Sequence, residues 1–313
     1  MNIVGLDSLI FGVDDVGAAT TFLLDYGIRE IERATSGASL EGLDGTSITV
    51  RSASDAGLPP ANAPTPSLRE TVYGVSDKAA LEKIGAELSK DRDVKPTSSG
   101  VLRAVDDANF ALAFQVTVRR PYDAPPILIN VPGASPQRPP NVLGTRPDML
   151  ISPRSLSHVV YFVPDLVKAE RFYTDRLGFR VSDVFTGPGG MRAGAFLRAA
   201  GMLEHHCLFL LQSPHPQMVG MNHFTYHVAS ADEVLHAGWR FQQRGYKSFW
   251  GPGRHVFGSN HFWYFNSPFG GLIEYDADMD LHDDSWTPRA LPMSKDTSQV
   301  YLFEGRDKWS PGP

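Results

Sequence analysis

The sequence predicts an α+β protein built from four βαβββ units arranged as two pairs. Three observations lead there. First, an apolar strand ending in valine, a short polar turn and an amphipathic helix recur four times. The copies read LDSLIFGVDDVGAATTFL, LRETVYGVSDKAALEKI, LSHVVYFVPDLVKAERFY and MNHFTYHVASADEVLHAG. Second, each helix is followed by two or three strand-like stretches broken at Gly, Asp or Ser, such as GTSITVRS and FALAFQVTV. Third, a proline-rich stretch from Arg120 to Pro153 separates the first two copies from the last two.

In chain order, residues 1–120 hold the first pair of units and form an N-terminal domain. Proline at the density of residues 121–153 blocks helix interiors and central strands, so this segment is an extended linker lying over the surface. Residues 154–280 hold the second pair. The third helix carries an apolar stripe through Leu166, Ala169, Phe172 and Tyr173 and ends on Leu177-Gly178 as a C-cap. One curved sheet of about 55 residues cannot bury both its faces, so units pair around a shared cavity. The tail, 281–313, has lost the repeat; it is expected to wrap over the C-terminal half, anchored by Trp286 and Trp309, and to cover a pocket mouth or a subunit contact.

Composition narrows the function classes. The chain has 313 residues, 42% hydrophobic and 20% charged, which suits a soluble protein with a core in each half. A net charge of -6 speaks against nucleic acid or an anionic membrane as partner. No apolar run approaches the roughly 20 residues that span a bilayer, and no secretory signal is visible, so a cytoplasmic protein is expected. The single cysteine, Cys207, excludes an internal disulfide and a thiolate metal site, and reads as a small buried residue.

All ten histidines lie between His158 and His282. Aligning the four strands on Val13, Val75, Val163 and Val228 puts Ser8, Glu70, His158 and His223 five residues before the valine each time. Only the C-terminal pair has histidine there. His158 and His223 would therefore face one cavity from paired units. Glu274, on the last strand of the fourth unit after a Pro/Gly turn, is the best anionic third ligand. Two imidazoles and one carboxylate on one face of a metal leave positions open for a chelating substrate and O2.

The segment GRHVFGSNHFWYFNSPFGGLIEY resembles the signature of the type I extradiol dioxygenases of the vicinal oxygen chelate superfamily, through His255, Tyr264, Pro268, Gly270 and Glu274. Trp263, before the tyrosine, and Ser267, before the proline, depart from the usual pattern in shape. The resemblance implies two vicinal oxygen chelate domains, the N-terminal one without a metal. It implies Fe(II), with Mn(II) compatible, held by His158, His223 and Glu274. It also implies His206 as acid/base, with His255 and Tyr264 bonding the substrate oxygen. A catechol-like aromatic diol and O2 are the implied substrates, extradiol ring opening the implied reaction, and a homo-oligomer the family habit.

Other histidines are weighed separately. His205 should point away from His206 if both lie on a strand. His227 shares a face with His223 and His261 leads into Tyr264; both read as structural. His215, His236 and His282 read as solvent-facing. Phe249, Trp250, Phe262, Trp263 and Phe265 supply core and a ring-lined pocket. Two alternatives stay open. One is another metal-dependent lyase, isomerase or transferase of the same superfamily, disfavoured because the third unit offers Gln212 and no carboxylate; the other is a metal-free binding protein.

Overall fold

Two residues after each repeat valine stands a side chain that caps a helix. Asp15, Asp77, Asp165 and Ser230 accept hydrogen bonds from the backbone N–H groups of Ala18, Ala80, Lys168 and Glu233. Each cap satisfies an orphan donor of the first turn, which is why the same valine-to-cap spacing starts a helix four times. The structure, a computed structural model, describes residues 1–303 apart from Thr65 and Pro125. Trp309 lies outside the described residues.

The first half contains β1 (Ile3–Val13), α1 (Val16–Tyr26), β2 (Arg29–Ala34), β3 (Gly37–Glu41), β4 (Ser47–Ser52), β5 (Ser67–Val75), α2 (Lys78–Leu88), β6 (Lys95–Pro96), β7 (Leu102–Val105) and β8 (Ala111–Val116). The second contains β9 (Ser155–Val163), α3 (Leu166–Arg171), β10 (Arg180–Thr186), β11 (Arg192–Arg198), β12 (Leu208–Gln212), β13 (Gly220–His227), α4 (Ala231–Gln243), β14 (Ser248–His255), β15 (His261–Asn266) and β16 (Leu272–Ala277). The tail adds β17 (Arg289–Pro292), α5 (Lys295–Ser298) and β18 (Gln299–Leu302).

Each half forms one sheet, ordered β2-β3-β4-β1-β5-β8-β7-β6 and β17-β10-β11-β12-β9-β13-β16-β15-β14-β18. Within every unit the first strand pairs parallel with the last, and the two first strands of a half pair antiparallel with each other. That pairing puts the histidine-bearing strands β9 and β13 side by side at the centre of the second sheet. The proline-rich segment has no strand or helix among its described residues and is largely exposed. No helix of the described residues is long and apolar enough to cross a membrane.

All four residues of the third helix's stripe are buried. α3 widens into a π-helical turn at Phe172–Arg176, so that the adjacent Phe172 and Tyr173 both reach the core, before Gly178 takes φ 77°. The Trp263 indole is accommodated by Gly238 on α4, where an added Cβ would collide with it. Gly238→Ala is therefore expected to lower stability by about 2 kcal/mol in urea denaturation, overriding the helix propensity alanine gains.

The two halves share one apolar core. Tyr26 stacks on Tyr275 with ring centroids 4.0 Å apart, its hydroxyl donates to the Glu274 carbonyl at 2.6 Å, and Tyr275 donates back to the Tyr26 carbonyl at 2.8 Å. The Arg119 guanidinium donates to the carbonyls of Leu6 and Leu156, one from each half. The tail lengthens the second sheet at both ends, β17 on β10 and β18 on β14. Trp286 anchors it, donating from Nε1 to the Ser182 carbonyl at 2.7 Å and stacking on His282 at 3.8 Å. His282 is thus buried, against the expectation of a solvent-facing residue, because the tail folds back over it. His236 is half-buried on α4, and His215 is exposed.

Candidate metal centre and cavity

β9 carries His158, β13 carries His223 and Thr225, and the parallel neighbour β16 carries Glu274 opposite Thr225. All four side chains are buried, and the ligand atoms of His158, His223 and Glu274 lie within 4.8 Å of one another. His158 Nε2 is 3.1 Å from Glu274 Oε2 and 3.2 Å from His223 Nε2, and His223 Nε2 is 3.6 Å from the same oxygen. Ligand atoms about 2.1 Å from one ion at right angles would be about 3.0 Å apart, close to this spacing.

The outer partners fix the tautomers. His223 Nδ1 lies 2.6 Å from Asn222 Oδ1, which only accepts, so Nδ1 carries the proton. Ser157 donates to Asp276 Oδ2 at 3.2 Å and accepts from His158 Nδ1 at 2.9 Å. Both Nε2 atoms therefore turn lone pairs toward each other and toward a carboxylate, and among the described residues no Lys or Arg is bonded to them. Such a donor set fits a divalent metal.

Thr225 escaped the sequence reading. Its hydroxyl donates to Glu274 Oε2 at 2.6 Å and lies 2.9 Å from His158 Nε2. The signal was the alternation His223–Thr225–His227 on one strand face. Thr225→Val, which keeps the shape and removes the donor, is expected to weaken metal affinity about 10- to 100-fold in a chelator competition.

His255 and Tyr264, on the neighbouring strands β14 and β15, stand beside the cluster. His255 Nδ1 points at the Ser298 carbonyl at 3.2 Å and must donate to it. Nε2 is thereby left to accept from the Tyr264 hydroxyl at 3.1 Å, with Glu274 Oε1 3.4 Å away. His206 faces the cluster from the third unit, its ring 4.3 Å from that of His158. Burial, then the neighbouring histidines, push its pKa well below 6.5, so it is neutral.

Several expectations need correction. Residues Glu204–Cys207 precede β12 and are not strand, so alternation does not hold there; His205 is buried and bonds His206 directly. By strand register the counterpart of Glu274 in the third unit is Phe209, two residues past the partner position of His158. Gln212 instead accepts from the Leu166 N–H at the start of α3. His227 is structural: against the cost of burial, Asp276 and Glu204 raise its pKa well above 6.5, with Nδ1 2.6 Å from Asp276. His261 bonds Arg254 and Tyr301. Cys207 is fully buried, and burial pushes its thiol up to about 12.

Above the cluster opens a cavity of about 610 Å³. Its walls include Phe162, Phe185, Phe196, Phe209 and Phe257, largely from the third unit, with Trp250 opposite and Met293 and Ser298 from the tail. Phe196 and Phe209 stack at 3.8 Å. Of the five aromatics near the signature, only Trp250 lines the cavity; Phe265 and Trp263 pack against α4 instead. Among the described residues no Lys, Arg, Asp or Glu lines it.

In the first sheet the corresponding strand position holds Glu70, bonded in two places by Arg103 and lacking any histidine companion. That ion pair stands where the second sheet has the cluster of His158, His223 and Glu274.

Known proteins share this sequence pattern and fold. Residues 155–275 match the model of the Glyoxalase/Bleomycin resistance protein/Dioxygenase superfamily. Metapyrocatechase 2 of Cupriavidus necator is 39% identical over 130 residues, 42% of this chain and only 38% of that protein. The biphenyl-2,3-diol 1,2-dioxygenase of Paraburkholderia xenovorans strain LB400 is 30% identical over 221 residues, 68% of this chain and 70% of that one. In fold, the Mn(II)-bound glyoxalase of Novosphingobium aromaticivorans superposes with a TM-score of 0.77 at 21% identity, over 100% of this chain and 95% of that one. With more than two thirds of a 30% identical dioxygenase matched, the chain belongs to this superfamily and, within it, to the extradiol dioxygenases.

Proposed function

We propose that the protein opens the ring of a catechol-type diol beside its hydroxyls, using O2 and an Fe(II) held by His158, His223 and Glu274. The observation that carries the reading is the convergence of two imidazole lone pairs on a buried carboxylate at the floor of an aromatic cavity. Relatives with dioxygenase names support it. A ferrous ion at this ligand set supplies open positions for a chelating diol and for O2, and a path for electrons between them.

The chain's own residues handle position and protons. Tyr264 donates to His255 beside the cluster, which places its oxygen to hold a substrate hydroxyl. His206 Nε2 stands across the cluster to take the second hydroxyl's proton and return it to product. The stacked phenylalanines hold the ring and exclude water. A volume of about 610 Å³ lies within the roughly 300–1,000 Å³ that takes a drug-sized ligand, so a second apolar ring on the diol fits.

The test is anaerobic loading with Fe(II), then addition of catechol and 2,3-dihydroxybiphenyl with O2 uptake and product absorbance followed together. One O2 consumed per diol with a coloured ring-fission product is expected. A protein that binds one iron yet turns over no diol would overturn the reaction assignment. Parallel loading with Mn(II) decides which metal supports turnover, since the ligand set accepts both.

A further inference from the structure

We propose that Asp183, His205 and Arg289 form a buried chain that fixes the proton of His206 on Nδ1, presenting Nε2 to the cavity as a base. The inference rests on the reading of His206 as the acid/base residue, but none of Asp183, His205 and Arg289 is a proposed ligand.

The chain starts from a carboxylate. Asp183 on β10 is fully buried and is clamped by Arg289 of the tail strand β17. The Arg289 backbone N–H donates to Oδ1 at 2.7 Å, and the guanidinium donates to Oδ2 from Nε at 3.1 Å and from its terminal nitrogen. A charge-matched pair has no need of a further cation. His205 Nε2 lies 2.9 Å from Asp183 Oδ2, which only accepts, so that nitrogen carries a proton. Burial holds the His205 pKa below the ordinary value in spite of Asp183, leaving the ring neutral with a lone pair on Nδ1.

His205 Nδ1 is 2.9 Å from His206 Nδ1. Two nitrogens at that distance share one proton, and His205 has none to give. The proton therefore belongs to His206 Nδ1, and the lone pair of His206 sits on Nε2. The Phe196 ring, edge-on at 5.0 Å, limits rotation of the imidazole. In turnover the substrate O–H bond breaks, an Nε2–H bond forms and the electron pair stays on oxygen. His206 then carries both protons, and the Nδ1 proton stays on its hydrogen bond to His205. Asp183, His205 and Arg289 are positioning residues that never touch substrate.

Ring-nitrogen NMR on metal-free protein with ¹⁵N-labelled histidine tests the assignment directly, with His206→Ala identifying the signals. A protonated Nδ1 and an unprotonated Nε2 on His206 are expected; a protonated Nε2 overturns the proposal. In the Fe(II)-loaded enzyme, His205→Phe, which removes the acceptor, should lower kcat about 10- to 100-fold with KM and iron content unchanged. His205→Gln, whose side-chain oxygen accepts, should restore most of it. A His205→Phe enzyme that keeps full kcat, or that loses iron or raises KM instead, also overturns the proposal. If His206→Ala itself turns over normally, the acid/base assignment fails, and the NMR result still decides the chain.

Discussion

Replacing His223 with alanine is expected to strip the protein of its metal and to lower turnover by at least about 10³-fold. Loss of an outer partner costs about 10- to 100-fold, and loss of a ligand costs more. Three proposed ligands become two, and the remaining His158 and Glu274 sit 3.1 Å apart without the third donor of the face. The fold should survive. His223 borders the cavity and its ring meets Tyr264 at 4.9 Å, so truncation enlarges an existing space and leaves the core intact. Metal analysis after dialysis, beside the melting temperature of the metal-free protein, makes the check. Iron retained at one per chain would show that the ligand set is wrong.

The second large effect is selection against charged substrates. A diol with a carboxylate on its substituent would bury that charge among Phe162, Phe185, Phe196, Phe209 and Phe257, and among the described residues no Lys or Arg lines the cavity. An unpaired buried carboxylate costs several kcal/mol, and each 1.4 kcal/mol is about tenfold in affinity. The ratio kcat/KM for 2,3-dihydroxybiphenyl should therefore exceed that for 3,4-dihydroxyphenylacetate by at least about 10²-fold. Steady-state O2 consumption with both diols measures the ratio. Equal values would mean that the aromatic walls do not contact the substituent.

What could be read from the sequence follows from what is local. The four strands announced themselves because the valine is followed at a fixed distance by a capping Asp or Ser. His158 and His223 stood out because the repeat gives them a common register, and the first strands of a pair lie side by side. Glu274 followed from its strand, which runs parallel to that of His223. The cavity wall was not readable. Phe185, Phe196, Phe209 and Phe257 come from three strands and a turn, and strand alternation does not say which face of a strand meets the cavity. His205 was misjudged because a strand period was applied to residues that are not strand. Gln212 was misjudged because the register of β12 against β9 is set by pairing over distance, and only that pairing reveals Phe209 as the counterpart of Glu274. The clamp of Arg289 on Asp183 joins residues 106 apart in sequence, so no window of sequence contains it.

The hydrogen bond from Tyr26 to the Glu274 carbonyl bears on how such a protein can be altered. The half without histidines holds the backbone of the carboxylate strand from behind, through a tyrosine pair stacked across the boundary. A chimera that joins the second half of this chain to the first half of a relative would keep every proposed ligand and still set Glu274 on a different support. The unit of exchange between relatives is therefore the matched pair of halves, with Tyr26 and Tyr275 travelling together.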